Sequence, residues 1–290
     1  MFIIDTDSQE RESEAIRRVL ASFHKEFILA PMGLGTLSWV IMEAQMPALI
    51  PELVGDVDIL AGTMAFGDPE SFNSALEEVN ARYAGAHPSF AENLAGKMIA
   101  ETGGIQWPPE PSYVVGVEVK CSYFDTKPRS TKSSPDKVAG IRQQIDKLLR
   151  MGLDRVGLLD VIANPPSDGV DSGAWLAAAS QAQTSLAAAE SILGGRLSAD
   201  SPAGQFVWAV GPVVGGTEDM RGAGAPRLLR APQMNPALDA KHPETTANRQ
   251  TLMASIAKLL AGMPRPRYFP IVYTDCRKCR RLHVLSDGCP

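Results

Sequence analysis

The amino-acid sequence predicts an α/β fold, a mixed sheet flanked by helices, from three observations. Apolar residues recur at helical spacing in several segments. Between these segments lie shorter runs of alternating or β-branched residues, which are typical of strands. The two kinds of segment alternate along the chain, and this order is the one found in α/β domains. The 290 residues are 44% hydrophobic and 21% charged, which is a globular composition.

The predicted helices follow from local start and stop signals. The first has acids in its first turn and apolar residues at helical spacing. Asp68-Pro69 and His87-Pro88 are signals that begin a helix, and Gly152 is a signal that ends one. In chain order, helices are expected over 8–26, 36–46, 69–83, 88–101, 136–151, 173–193 and 246–261.

The predicted strands are short and bounded by glycine or proline. Gly55 and Gly62 enclose one alternating run, and Asn164-Pro165-Pro166 ends another. The segment 113–124 has the strongest strand signal in the chain. Strands are expected over 55–62, 113–124, 155–163, 205–214 and 268–274. A stiff connector over 107–111 and a loop rich in glycine and proline over 215–240 complete the pattern.

The charge balance excludes a cationic protein that binds nucleic acid over its whole surface. The formal net charge is −5, so contacts with phosphates must come from local basic patches. The first seven residues have no basic region of the kind that begins a signal peptide. The apolar run over 27–42 is interrupted by Pro31 and is too short to span a bilayer. Four cysteines do not make a disulfide scaffold. We therefore expect a soluble cytoplasmic protein without a membrane partner.

Acidic residues on two predicted strands indicate a metal site. Successive side chains of a strand point to opposite faces, so Asp56 and Asp58 share one face. On the later strand, Glu118 and Lys120 project together, opposite an apolar face of valines and Cys121. If the two strands are neighbours, Asp58, Glu118 and Lys120 converge. Carboxylates that lie close together are neutralised by a divalent cation such as Mg²⁺ or Mn²⁺, which also activates water.

This pattern resembles the PD-(D/E)xK nuclease superfamily, which has the restriction-endonuclease-like fold. Asp58 is similar to the first acid of that signature, and Glu118-Val119-Lys120 to its ExK element. The resemblance covers about 56–166. It implies that Asp58, Glu118 and the Val119 carbonyl hold Mg²⁺ or Mn²⁺ and that Lys120 is catalytic. No proline precedes Asp58, and the long separation from Glu118 requires a helical insertion over about 68–104.

Polar residues near the proposed centre form a second group of candidates. Gln144 lies on the border of the apolar stripe of helix 136–151. Related enzymes present a Lys or Gln from this helix, and the alternative is a boundary residue with its amide in solvent. Two basic patches flank the site, and each is either a phosphate contact or a solvated face. Their members are Lys127, Arg129, Lys132 and Lys137 in the first patch, and Arg277, Lys278, Arg280 and Arg281 in the second.

The C-terminal cysteines have the spacing of a zinc site. Cys276, Cys279, His283 and Cys289 read C-x2-C-x3-H-x5-C. A gap of two residues lets both thiolates bind one tetrahedral Zn²⁺, and the histidine and third cysteine complete the set. The pattern resembles a zinc knuckle with its histidine displaced by one position. Reduced thiols in a frayed tail, or a half site completed by another chain, are the alternatives.

Together these features predict a metal-dependent endonuclease that acts on DNA. Its nuclease-like domain is expected over 1–264 and its basic, zinc-binding tail over 265–290. The low overall charge suggests that a protein partner or a second copy selects the target. An effector of antiviral defence fits by analogy of fold. One alternative is a non-catalytic interaction subunit that docks a partner through its zinc element. Another is an unrelated α/β enzyme in which the ExK pattern is coincidental.

Overall fold

The computed structural model describes part of the chain, and this part divides into two compact units. It covers 2–5, 32–34, 38–63, 69–85, 88–102, 111, 113–125, 135–163, 196–197, 201–210, 227–228, 245–262, 271–276 and 278–284. Unit 1 consists of Met1–Ile28, Val117–Leu149 and Arg155–Asp239. Unit 2 consists of Leu29–Gly116, Arg150–Asp154 and Ala240–Pro290.

The described residues form an α/β structure with nine strands and five helices. The strands are β1 (Phe2–Asp5), β2 (Ser38–Gln45), β3 (Asp56–Thr63), β4 (Val114–Asp125), β5 (Arg155–Ala163), β6 (Gly204–Val210), β7 (Arg227–Leu228), β8 (Ile271–Cys276) and β9 (Arg281–Val284). The helices are α1 (Met46–Leu49), α2 (Pro69–Arg82), α3 (Pro88–Thr102), α4 (Pro135–Arg150) and α5 (Thr245–Ala261).

In unit 2 the strands form a mixed sheet with the order β9-β8-β2-β3. Strand β2 is antiparallel to β3, with Val40 opposite Ala61, and parallel to β8, with Ile41 opposite Tyr273. Strand β9 is antiparallel to β8. The beginning of β4 lies beside the end of β3, because the Thr63 N–H donates to the Tyr113 carbonyl at 3.1 Å.

Unit 1 contains a second set of mixed pairings, in the order β7-β6-β5-β4. Strands β5 and β6 are parallel, with Leu159 opposite Phe206. Strand β1 pairs antiparallel with the last residues of β4, and β7 pairs antiparallel with β6. The expected α/β class and mixed pairing are therefore confirmed, whereas membership of the restriction-endonuclease-like fold stays a prediction.

The prediction of a helix over 36–46 was wrong, because most of this segment forms strand β2. Trp39, Ile41 and Met42 are fully buried there. A short apolar run does not distinguish a strand from a buried helix by its period alone. The neighbours decide the outcome, since β2 hydrogen-bonds to β3 on one side and to β8 on the other.

Most other expected elements that fall on described residues are confirmed within a few positions. The helices expected over 69–83, 88–101, 136–151 and 246–261 correspond to α2, α3, α4 and α5. Strands β3, β4, β5, β6 and β8 were also expected, whereas β1 and β9 were not. The two-residue strand β7 lies inside the expected loop over 215–240. The helices expected over 8–26 and 173–193 and most of the connector over 107–111 lie outside the described residues.

A buried polar network joins β5 and β6 inside unit 1. Asp160 accepts a hydrogen bond from Gln205 Nε2 at 2.7 Å and pairs with the guanidinium of Arg196. All three side chains are buried. Pairing and hydrogen bonding offset the desolvation of a charge, which is why such a carboxylate is tolerated in a core. Arg142 Nε donates to the Arg196 carbonyl and so connects α4 to the network.

The loop after α4 is held in unit 2 by α5 and by the beginning of β4. Asp154 accepts hydrogen bonds from the Val114 N–H at 2.7 Å and from Arg249 at 3.0 Å. Gly152 adopts φ +80°, and its carbonyl accepts from Arg249 at 2.9 Å. A left-handed residue just after a helix is the common way to end it, so the expected role of Gly152 is confirmed.

We expect Gly152→Ala to lower the free energy of unfolding by about 1–3 kcal/mol. Its φ is left-handed, and the added Cβ would meet the Thr245 carbonyl at 2.6 Å. The matched control is Gly140→Ala inside α4, where a Cβ meets open space. It should raise the free energy of unfolding by about 0.5–1 kcal/mol. Urea denaturation measures both changes, and a Gly152 variant as stable as the control would contradict the assignment.

Candidate functional site

The centre of the candidate site is an ion pair on β4 within unit 1. Lys120 Nζ lies 2.7 Å from Glu118 Oε1. The Glu118 side chain is 2% exposed and that of Lys120 is 18% exposed. Val117, Val119 and Cys121 are buried on the opposite face, as the alternation predicts. The structure therefore brings Glu118 and Lys120 together.

Glu118 is withdrawn from solvent, although it lies opposite the apolar face of β4. Glu118 is as buried as the valines, so β4 is covered on both faces around this residue. A carboxylate removed from water must be compensated by a charge or by hydrogen bonds. The ammonium of Lys120 supplies such a charge. A buried carboxylate beside a lysine is suited to ligating a hard cation while the lysine contacts a second anionic group.

Asp58 lies on β3 in unit 2, on the face that the alternation predicts. Asp56 and Asp58 are half-buried, whereas Val57 and Ile59 between and beyond them are fully buried. Glu118 belongs to unit 1. The convergence of Asp58 with Glu118 and Lys120 stays a prediction.

Unit 2 also contains an acid that the sequence reasoning missed. Met42 pairs with Ile59 and Ala44 pairs with Val57, so the register sets Glu43 opposite Asp58. Glu43 has φ +54°, a left-handed conformation that is uncommon for a residue with a side chain. Finding Glu43 from the sequence requires the register of β2 against β3. The sequence analysis instead predicts a helix for this segment.

A third carboxylate of unit 2 lies at the end of β8. Asp275 Oδ2 accepts a hydrogen bond from the Gln45 N–H at 3.1 Å, and Gln45 Nε2 donates to the Glu43 carbonyl at 3.0 Å. Burial raises the pKa of Asp275, the hydrogen bond from Gln45 opposes this change, and the negative charge of Glu43 adds to it. Gln45 therefore links Asp275 of β8 to the left-handed Glu43 of β2.

The remaining candidates around Glu118 are described only in part. Gln144 and Lys137 are half-buried on α4, at the border of a stripe in which Ile141, Ile145 and Leu148 are buried. The predicted border position of Gln144 is confirmed, and the roles of both residues stay predictions. Val119 offers its backbone carbonyl, since its side chain lies in the core. Three members of the first basic patch lie outside the described residues, namely Lys127, Arg129 and Lys132.

A cluster of potential metal ligands lies in unit 2, on the hairpin formed by β8 and β9. Cys276, Cys279 and His283 each offer one ligand atom, and these atoms lie within 4.8 Å of one another. Cys279 Sγ and His283 Nε2 are 2.7 Å apart. The predicted convergence of these three residues is confirmed, whereas Cys289 and Arg277 lie outside the described residues.

The strand pairing explains why these three side chains meet. His283 is opposite Thr274, which is two residues before Cys276 on β8, so Cys276 and His283 share one face of the hairpin. The Arg280 N–H donates to the Cys276 carbonyl at 2.7 Å and closes the turn that contains Cys279. Two sulfurs and one imidazole nitrogen are donors that Zn²⁺ favours. The cluster could therefore bind a metal such as zinc.

Comparison with known proteins gives no family for this chain. No family model, curated protein or solved structure matches it. The resemblance to the PD-(D/E)xK superfamily therefore depends on the residues themselves.

Within the part of the chain that the structure describes, no helix has both the length and the apolar character that a bilayer crossing requires.

We expect Lys120→Met to lower the free energy of unfolding by about 3 kcal/mol, because Glu118 then stays buried without the lysine charge. Urea denaturation of this variant, of Glu118→Gln and of the double variant Glu118→Gln/Lys120→Met measures the coupling between the two residues. The double variant should recover part of the loss.

The matched control is the exposed pair of Glu78 and Arg82 on α2, which has a separation of 2.9 Å. Arg82→Met should cost only about 0.3–0.5 kcal/mol, since solvent screens an exposed pair. Strictly additive effects of the Glu118 and Lys120 substitutions would show that their contact has no energetic weight.

Proposed function

We propose that this protein is a metal-dependent endonuclease that hydrolyses phosphodiester bonds in DNA. The observation that carries the proposal is the buried contact between Glu118 and Lys120 on β4. A structural surface pair would leave both groups in water, where the contact contributes little. Here the carboxylate is withdrawn from solvent and held beside an ammonium group, and buried ionisable groups of this kind are concentrated at functional sites.

A role for Asp58 rests on the resemblance and on the position of this residue on β3. Asp58 is half-buried, on the face opposite the fully buried Val57 and Ile59. The proposal requires its carboxylate to bind the same ion as Glu118.

The proposed mechanism assigns each residue one task. Asp58, Glu118 and the carbonyl of Val119 would hold Mg²⁺ or Mn²⁺, which when bound supplies water activation and neutralises charge on a phosphate oxygen. Lys120 orients the attacking water or stabilises the negative charge that develops on the phosphate. Gln144 is an auxiliary group on α4. Lys137 of the first basic patch would contact the DNA backbone.

We further propose that Cys276, Cys279 and His283 bind a structural Zn²⁺, with Cys289 as the fourth ligand. Two thiolates, an imidazole and a third thiolate form one of the usual tetrahedral zinc sets. The confirmed convergence of the first three on one hairpin supports this proposal. The near-neutral charge of the chain leaves target selection to a protein partner or to a second copy, as in an effector of antiviral defence.

Plasmid nicking with added Mg²⁺ or Mn²⁺ tests the catalytic proposal. We expect Asp58→Asn, Glu118→Gln and Lys120→Ala each to reduce the rate by at least about 100-fold, because each removes a group that stabilises the transition state. The matched control is Glu52→Gln, which removes an exposed acid of unit 2, the unit of Asp58, and should leave the rate unchanged.

Equal nicking by the wild type and by all three site variants would refute the catalytic assignment. The assay is repeated at raised protein concentration, which favours a second copy, and with cell extract added to supply a partner. Absence of nicking by the wild type and by every variant under these conditions would favour a non-catalytic subunit with a nuclease-like fold. In that case the metal-binding hairpin would be the part that docks a partner.

Metal analysis of the purified protein tests the zinc proposal. We expect about one zinc per chain, and none after Cys276→Ser/Cys279→Ser, because both thiolates are ligands. The control Cys121→Ala removes a buried thiol of the core and should retain the metal. Acidification should release it, since protons compete for the sulfur and nitrogen donors. A zinc content that is unchanged in the double cysteine variant would place the metal elsewhere.

A further inference from the structure

The turn between β8 and β9 combines metal ligands with exposed cations. Lys278, Arg280 and Arg281 are exposed, and they lie beside the ligand Cys279 and shortly before the ligand His283 in the chain. The segment 275–284 contains four basic residues and one acid. The hairpin is therefore a local positive feature in a chain whose formal net charge is −5.

The backbone conformation of the turn is linked to Cys279, the proposed metal ligand within it. Arg280 directly follows Cys279 and has φ +54°. The left-handed region is unfavourable for a residue with a Cβ, and such a residue persists where the surroundings fix it. The hydrogen bond from the Arg280 N–H to the Cys276 carbonyl is one such restraint. A metal held by Cys276 and Cys279 would be a second restraint on the same four residues.

The ligand atoms are close enough for one ion after a small adjustment. Tetrahedral bonds of 2.3 Å to sulfur and 2.0–2.1 Å to nitrogen separate the two donor atoms by about 3.5 Å. Cys279 Sγ and His283 Nε2 are 2.7 Å apart. Side-chain rotations that move the two donor atoms apart by less than about 1 Å would therefore make room for Zn²⁺ and leave the strand pairing unchanged.

We propose that the β8–β9 hairpin is a zinc-dependent contact for the nucleic-acid backbone, in which the bound metal fixes the turn that presents Lys278, Arg280 and Arg281 to phosphates. This inference rests on the proposed function, because it takes DNA as the partner. The three thiolates of the proposed ligand set more than offset the charge of Zn²⁺, so the metal acts by ordering the turn rather than by adding positive charge. In the metal-free chain, binding must order the same residues at an entropic cost.

The test is the binding of a short fluorescein-labelled DNA duplex by the full-length chain, measured by anisotropy without Mg²⁺ or Mn²⁺ so that no cleavage occurs. The variant Lys278→Ser/Arg280→Gly/Arg281→Ser removes the three cations, and glycine suits the left-handed position of Arg280. We expect the slope of log affinity against log salt to fall by about 0.9 for each lost phosphate contact.

Zinc removal is the second arm of the experiment. Cys276→Ser/Cys279→Ser, and the wild type treated with a chelator, should bind about tenfold more weakly than the zinc-loaded wild type. Restoring zinc to the chelated wild type should restore its affinity and should not change the double cysteine variant. Lys258→Ser is the matched control, because Lys258 is exposed on α5 in the same unit. Its affinity should stay within about twofold of the wild type.

Two results would overturn this inference. Far-ultraviolet circular dichroism of the triple variant must first match that of the wild type, so that a change in affinity is not due to misfolding. Affinity and salt slope equal to those of Lys258→Ser would then remove the hairpin as a phosphate contact. Equal DNA affinity of the zinc-loaded and the zinc-free wild type would show that binding does not depend on the metal. Failure of nicking alone, with zinc-dependent binding intact, would contradict the endonuclease proposal and leave the hairpin contact supported.

Discussion

The burial of the Glu118 carboxylate is the constraint on which the account of this protein depends. A charge that is 2% exposed is tolerated only when neighbouring groups replace the water it has lost. Lys120 does so from the same face of β4, because residues two apart on a strand project together. Replacing the pair with apolar residues would relieve the cost of desolvation. The presence of this pair on β4 is therefore the observation that most favours the proposed chemical role.

The two-residue alternation of side chains along a β-strand explains which parts of this site could be predicted from the sequence. Glu118 and Lys120 were assigned to one face from alternation alone, and the left-handed Gly152 at the end of α4 follows from local backbone chemistry. Strand β2 could not be found in this way. Its run from Trp39 to Met42 is buried throughout, so it has no polar residue at every second position to reveal the period. Glu43 was missed for the same reason.

The C-terminal hairpin shows a different limit of sequence reasoning. The spacing of Cys276, Cys279 and His283 predicts a shared ligand set, because short gaps restrict how far the donors can separate. The pairing of β9 with β8, and the left-handed conformation of Arg280, depend on contacts within the folded unit. Those contacts set which cations face solvent beside the ligands. The spacing therefore predicts the metal ligands, but it does not predict which cations are exposed beside them.

The most direct test of the central claim is a crystal structure of the protein grown with Mn²⁺, in which anomalous scattering locates the ion. The account predicts one ion within bonding distance of a carboxylate oxygen of both Asp58 and Glu118, with the Lys120 ammonium on its open side. Asp58 and Glu118 on strands that are not neighbours, or an ion bound without either carboxylate, would contradict the account.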